Sequence, residues 1–287
     1  MSAPPDTPIV WVNGAFVDAP ATTPAVTALD DGVLVGLGVF ETMSIRGPSG
    51  PSEREATGPS GPSERETTGV AFARRRHLQR LHGSAGIVGI EIDTTLVEDG
   101  VDAVLSRWGS RAGRLRITAT AGGAVIVSAD AVVEVAATAT VVVAPWPRNE
   151  RSPLASAKHT AYADNVLAFA YARDLGATEA LFLNTRDEVC EGSRTNIFAV
   201  CDGQLVTPPQ SAGCLPGVTR ALVLEYGGAV EATLDLPQLM AASEAFLTSA
   251  LRGAQPIATI DGAAVGRGTR PHAQRVARVL AGLNADA

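Results

Sequence analysis

Of the 23 lysine and arginine residues in this chain, 22 are arginine and one, Lys158, is lysine. A guanidinium stays protonated and cannot attack a carbonyl, whereas a lysine amine can lose its proton and do so. Drift toward arginine accounts for the 22 but not for the survivor. Lys158 is therefore the first candidate for covalent chemistry, with a solvated surface lysine as the plain alternative. Val218 and Thr219 stand at the start of a helical pattern, where unpaired backbone N–H groups and the helix dipole favour an anion. Arg116 lies in the strand-like run Leu115-Arg116-Ile117-Thr118. Placed among inward-facing apolar residues, it needs an anionic partner, either a substrate carboxylate or a structural ion pair. Arg252, in Thr248-Ser249-Ala250-Leu251-Arg252-Gly253, invites the same two readings. Gly36 and Gly38 lack the third glycine and the βαβ setting of a dinucleotide fingerprint. Cys190, Cys201 and Cys214 lack the spacing of metal ligands, so no metal site is expected.

Longer motifs connect these residues. In order they are Asn13-Gly14, Gly36-x-Gly38-x-Phe40-Glu41, His77-Leu78-Gln79-Arg80-Leu81 and Ser156-Ala157-Lys158-His159-Thr160-Ala161-Tyr162. Then come Cys190-Glu191-Gly192-Ser193-Arg194-Thr195-Asn196-Ile197-Phe198 and Leu215-Pro216-Gly217-Val218-Thr219-Arg220. Each piece alone is weak, but the series spans most of the chain and resembles the fold-type IV pyridoxal-phosphate enzymes, the class IV aminotransferase family. The resemblance implies an α+β, two-domain fold like that of D-amino-acid aminotransferase, with pyridoxal 5'-phosphate as cofactor. It casts Lys158 as the Schiff-base lysine and proton shuttle, and Glu191 as the carboxylate facing the pyridine nitrogen. It assigns the phosphate to Arg80, Val218 and Thr219, and gives Tyr162 and Asn196 as further cofactor contacts. Arg116, Arg252 and Thr42 are the candidate substrate-binding residues. The plainer readings are a turn-exposed Glu191, a helix-surface Arg80, and Tyr162 and Asn196 as core or turn residues. His159 reads as an orienting or packing histidine.

Within the family, Lys158-His159, the Phe40-Glu41-Thr42 run and Ala250 lean toward 4-amino-4-deoxychorismate lyase. Ala250 stands where aminotransferases of the class usually carry a phosphate-binding threonine. Val35 and Ala163 replace aromatic residues of branched-chain aminotransferases. The expectation is a lyase giving 4-aminobenzoate and pyruvate for folate biosynthesis. An aminotransferase for D-amino acids or branched-chain amino acids is the alternative, and a non-catalytic binding protein on the same fold is a third reading. The last predicts loss of Lys158 or Glu191, and both are present. Relatives are homodimers, so the resemblance implies a homodimer acting on a small molecule.

The elements that must position these residues follow from patterning. At 287 residues and 46% hydrophobic content the chain can bury a large core. A net charge of −7 without a basic stripe argues against nucleic acid. No membrane span or signal peptide is expected, and sparse cysteines fit a reducing cytoplasm. Asn13-Gly14 predicts a tight hairpin over 10–17, and Asp202-Gly203 predicts another between strands 196–200 and 204–207. Apolar spacing predicts helices over 75–89, 95–108, 161–175 and 271–283, with a further helix after Thr219. Strands are predicted over 115–120, 124–128, 139–144 and 179–184. GPSGPSEREAT at 47–57 recurs as GPSGPSERETT at 58–68, a direct duplication that reads as a tolerated, solvated loop between two strands. Pro145-Trp146-Pro147 reads as a linker, dividing the chain into an N-terminal domain, 1–144, and a C-terminal cofactor-binding domain, 145–287.

Overall fold

The computed structural model describes residues 7–17, 25–47, 68–132, 134–266, 268–285 and 287. The duplicated segment, apart from its two end residues, lies outside them. The described residues fall into two compact units. The first holds residues up to 133 together with 158–161 and 284–287, and the second holds 134–157 and 162–283.

The first unit is a six-stranded antiparallel sheet. Its strands are β1 (Ile9–Val12), β2 (Ala15–Val17), β3 (Gly38–Arg46), β4 (Val70–Ala71), β5 (Gly113–Thr120) and β6 (Val125–Asp130), in the order β2-β1-β6-β5-β3-β4. The hairpin between β1 and β2 forms at Asn13-Gly14, where both residues take positive φ as a tight primed turn requires. Alternation gives the sheet one apolar face. Leu115, Ile117 and Ala119 of β5 point into a core with Val39, Met43 and Ile45 of β3 and Val125, Val127 and Ala129 of β6. Helices α2 (Arg74–Val88) and α3 (Thr94–Trp108) cover that face through Leu78, Leu81, Val97, Val101 and Val104. Arg116 therefore lies on the other face, not among the inward apolar residues as its neighbours in sequence suggested. A four-residue helix, α1 (Asp31–Leu34), precedes β3.

The second unit is a mixed sheet. It runs β12 (Val230–Glu231), β11 (Gln204–Thr207), β10 (Asn196–Cys201), β13 (Glu244–Ser249), β14 (Gly253–Ile260), β7 (Ala139–Val143), β8 (Glu179–Leu183), β9 (Val189–Gly192), with β15 (Ala263–Ala264) on β14. Pairing is parallel between β14 and β7, β7 and β8, and β11 and β12, and antiparallel elsewhere. Helices α4 (Ala163–Asp174), α5 (Val218–Tyr226), α6 (Leu236–Ala241) and α7 (Pro271–Gly282) pack on it.

Two expectations about organisation shift. The boundary falls near Val133, not after Ala144, because β7 hydrogen-bonds to β8 and β14 and so belongs to the second sheet. Lys158 and its neighbours to Ala161 join the first unit although they lie past the boundary in sequence. The predicted helices are otherwise present within a residue or two. Among the described residues no helix is long and apolar enough to cross a membrane.

The face assignment makes a testable contrast. Ile117→Ala should cost about 2–5 kcal/mol, as large-to-small changes in a close-packed core do. Arg114→Ala, one strand over from Asp130 on the solvated face, should cost no more than about 1 kcal/mol. Urea unfolding of the two variants measures both.

Candidate active site

In the first unit the chemistry is organised by β3. Its two faces separate the side chains by parity: Val39, Glu41, Met43 and Ile45 go to the core, and Phe40, Thr42, Ser44 and Arg46 to the other side. Residues 158–161 lie along the start of β3. Phe40 N–H donates to the Lys158 carbonyl at 2.9 Å, and Thr160 N–H donates to the Gly38 carbonyl at 2.8 Å. Val39 and His159 form an antiparallel bridge. Lys158 N–H donates to Ser84 Oγ of α2 at 3.0 Å, and Thr160 Oγ1 donates to the Gly36 carbonyl at 2.7 Å. The Lys158 ammonium is 4.3 Å from the centre of the Phe40 ring. The Arg116 guanidinium is 4.0 Å from the same ring. Thr42 is the cross-strand partner of Arg116. Lys158, Arg116, Thr42 and Phe40 thus share one face, which supports the grouping of a reacting amine with two substrate-binding candidates.

The core face holds a charge cluster that patterning did not single out. Glu41 is fully buried. Arg80 grips it with both arms, Nε to Oε1 at 2.7 Å and Nη2 to Oε2 at 2.8 Å. His77 Nδ1 lies 2.7 Å from Glu41 Oε2. Burial alone would raise the Glu41 pKa, but the Arg80 charge and hydrogen bonds, with those of His77, pull it down to about 2. Burial pushes His77 below its ordinary value of 6.5 despite Glu41, so the ring stays neutral and its Nδ1–H donates. Arg80 is consequently no solvated helix-surface charge. Any phosphate it meets faces a guanidinium already oriented by Glu41.

The second unit holds Glu191 on β9, buried and not turn-exposed. Its Oε1 accepts from Arg148 Nη2 at 2.6 Å. Its Oε2 accepts from Leu215 N–H at 2.9 Å and Asn196 Nδ2 at 3.3 Å. Asn196 also donates to the Leu215 carbonyl at 3.0 Å. The Tyr162 hydroxyl and the Asn165 amide both donate to the Ser193 carbonyl, at 2.9 and 2.7 Å. Burial raises the Tyr162 pKa, so the phenol stays protonated. Helix α5 begins at Val218 after Gly217, whose residue type offers no side-chain cap. The first-turn N–H groups of Val218 and Thr219 have no intrahelical partner by construction. Across β10 and β13, Thr248 is the partner of Asn196, and its buried hydroxyl has no hydrogen-bond partner among the described residues. A buried hydroxyl and a bare helix N-terminus suit an anionic, oxygen-rich group such as a phosphate.

Arg252 has a protein partner. Its Nη2 lies 3.0 Å from Glu179 Oε2, and Nη1 donates to Gln255 Oε1 at 3.2 Å. That is the structural ion pair weighed against the substrate role. Arg148 and Asn165 were missed as site residues. Arg148 follows Pro145-Trp146-Pro147 directly, and an arginine emerging from a rigid, apolar linker was the signal available. Glu41 was visible in the Phe40-Glu41-Thr42 run, but only the strand's parity shows that it points inward at Arg80.

Glu41 makes a pH prediction. Its depressed pKa contributes about 3 kcal/mol above the unfolded-state value of 4.5, and this contribution is lost as pH falls toward 2. His77, also depressed, adds to the loss below 6.5. Glu41→Gln should destabilise the protein at pH 7 by about 3–5 kcal/mol, because Arg80 loses its buried partner. The gap to wild type should narrow as pH falls below 4.5. Urea unfolding across pH 3–8 reads this, and a pH-independent gap would contradict it.

Comparison with known proteins gives the family. The sequence model of the amino-transferase class IV family matches residues 38–260. A putative branched-chain-amino-acid aminotransferase of Methanocaldococcus jannaschii is 29% identical over 283 residues, covering 88% of each chain. The branched-chain-amino-acid aminotransferase of Pseudomonas aeruginosa is 38% identical over 115 residues, 38% of this chain and 37% of that protein. Among solved structures, the branched-chain aminotransferase of Thermoproteus uzoniensis with norvaline superposes with a TM-score of 0.78 at 28% identity, covering 95% of this chain and 93% of that one. A hypothetical aminotransferase from Mycobacterium tuberculosis in its PLP-bound form shares the fold, with a TM-score of 0.79 at 22% identity over 95% and 97% of the chains.

Proposed function

The chain belongs to the class IV aminotransferases, and on that footing we propose that it uses pyridoxal 5'-phosphate to move an amino group from an amino acid to a 2-oxo acid. The observation that carries this reading is the match over residues 38–260 together with an intact Lys158 and a buried, hydrogen-bonded Glu191. The lyase expected from sequence gives way to the alternative, because the relatives reported above are named branched-chain aminotransferases. Branched-chain amino acids are therefore the first donors to test, with a homodimer as the working form.

When bound, the cofactor supplies a carbonyl that takes up an amine and a ring that accepts electrons as the bond from the amine-bearing carbon to hydrogen breaks. The residues of this chain do the rest. Lys158 Nζ would hold the cofactor covalently and, when free, would move the proton at the substrate carbon. Phe40, packed under that amine, fixes where it stands. Glu191 would face the ring nitrogen of the cofactor and offer it a hydrogen-bond acceptor. The N–H groups of Val218 and Thr219 in the second unit, and the Arg80 guanidinium in the first, would be the candidates to hold the phosphate. Arg116 and Thr42, on the face that carries Lys158, receive the substrate carboxylate. A carboxylate that docks against Arg116 replaces solvent there and helps exclude water from the reacting carbon.

The lyase remains the second reading, favoured by Lys158-His159 and by Ala250, which has no hydroxyl to offer a phosphate. The two readings separate on turnover. A transaminase is left in the amine form by its first half-reaction and stalls without a 2-oxo acid, whereas a lyase turns over on one substrate. The protein is expected to exchange amino groups between leucine or D-alanine and 2-oxoglutarate, and to make no 4-aminobenzoate from aminodeoxychorismate. Lys158→Ala should abolish exchange, a loss of at least about 10³-fold for removal of the nucleophile. Multiple turnovers of 4-aminobenzoate with no second substrate would install the lyase instead.

A further inference from the structure

We propose that Arg148 is a positioning residue that keeps Glu191 ionised, and so keeps the proton of the Glu191–ring-nitrogen hydrogen bond on the nitrogen. The inference rests on the functional reading above, in which Glu191 faces that nitrogen.

The backbone of Arg148 is pinned before its side chain acts. Its N–H donates to the Leu183 carbonyl at 2.7 Å, and it bridges to Asn184 in parallel at the end of β8. The guanidinium then reaches Glu191 Oε1 at 2.6 Å through Nη2 and Asn165 Oδ1 at 3.1 Å through Nη1. It lies 5.2 Å from the Phe182 ring centre. Asn165 is itself tied to the Ser193 carbonyl, so the arginine is held from both sides. Both charges are mostly out of solvent. Attraction to Glu191 raises the Arg148 pKa over the opposing effect of burial, so its charge is permanent.

The chemistry follows from the low dielectric. A hydrogen bond between a carboxylate and a ring nitrogen has two proton positions. The charged form is N–H⁺ beside a carboxylate, and the neutral form is bare nitrogen beside a carboxylic acid. Burial favours the neutral form. A guanidinium bonded to the carboxylate favours the charged one, because it stabilises the anion that the proton would otherwise neutralise. Asn196 and Leu215 N–H on Oε2 act the same way but carry no charge. Without Arg148 one proton shifts from the ring nitrogen to Glu191, no other bond changes, and the ring withdraws electrons less strongly. The step that needs that withdrawal slows, while binding of the amino acid does not depend on it.

The test uses holoenzyme loaded with pyridoxal 5'-phosphate carrying ¹⁵N in the ring. In the wild type the nitrogen should resonate at the protonated position. Arg148→Met should move it toward the unprotonated position and lower kcat on the order of 10–100-fold, as loss of an outer partner of a reacting group does, with KM for the amino acid little changed. Arg148→Lys, which keeps the charge, should hold the nitrogen protonated. If Arg148→Met does not fold, Asn165→Leu removes the second anchor without stripping a charge, and a smaller shift in the same direction is expected. An unchanged nitrogen resonance in a folded, loaded Arg148→Met protein, or in Asn165→Leu where that variant stands in, overturns the inference and leaves the functional reading intact. A wild-type protein that takes up no cofactor overturns both.

Discussion

Residues 158–161 are held against the start of β3 by backbone hydrogen bonds, and the chemistry of the first unit depends on that attachment. The Phe40 N–H to Lys158 carbonyl bond, the Val39–His159 bridge and the Thr160 N–H to Gly38 carbonyl bond place the lysine over the ring of Phe40. Close approach is possible because of two glycines. A Cβ on Gly38 would stand 2.8 Å from the Ala119 carbonyl and 3.0 Å from Thr160 Oγ1. Gly36 has φ of +70° and lies against Ala161. The Gly36-x-Gly38 spacing that failed as a nucleotide fingerprint is thus explained by the passage of the lysine segment. The backbone of the covalent candidate is fixed beside β3 by main-chain hydrogen bonds.

Three buried carboxylates are matched by arginine. Glu41 meets Arg80 and His77, Glu191 meets Arg148, and Glu179 meets Arg252. Breaking any such pair leaves an uncompensated charge in a poor solvent, which is costlier than never having built it. The first two pairs involve Arg80 and Glu191, the residues proposed above to meet the phosphate and the ring nitrogen. The same physics thus stabilises the fold and presets the site: Glu41 orients an arginine, and Arg148 fixes the ionisation of a glutamate. Arg252 repeats the pattern with Glu179, within the second unit.

Much of this was legible in the sequence, for reasons that can be stated residue by residue. Asn13-Gly14 and Asp202-Gly203 announced hairpins because few other residues accept positive φ twice in succession. Lys158 stood out because arginine cannot do its chemistry. Glu191, Val218 and Thr219 came from motif order; Val218 and Thr219 open the expected helix, and the strand that carries Glu191 was not predicted. The failures were failures of the third dimension. Arg116 looked inward because its neighbours were apolar, but in a strand the neighbours face the other way. The boundary was put at a proline-rich linker, yet parallel pairing of β7 with β8 and β14 decides it, and strand pairing over such sequence distances leaves no local mark. Arg148, and the pairing of Glu41 with Arg80, escaped notice because an ion pair between residues 43 or 39 positions apart has no periodicity to reveal it.

The central claim is that Lys158, held on β3, is the residue that carries the cofactor. Borohydride reduction of protein saturated with pyridoxal 5'-phosphate, followed by peptide mapping, tests it directly, and a single lysine in the chain makes the outcome unambiguous. One pyridoxyl group per chain, on the peptide containing Lys158, is the predicted result. A folded, saturated protein whose Lys158 peptide stays unlabelled after reduction would contradict the account.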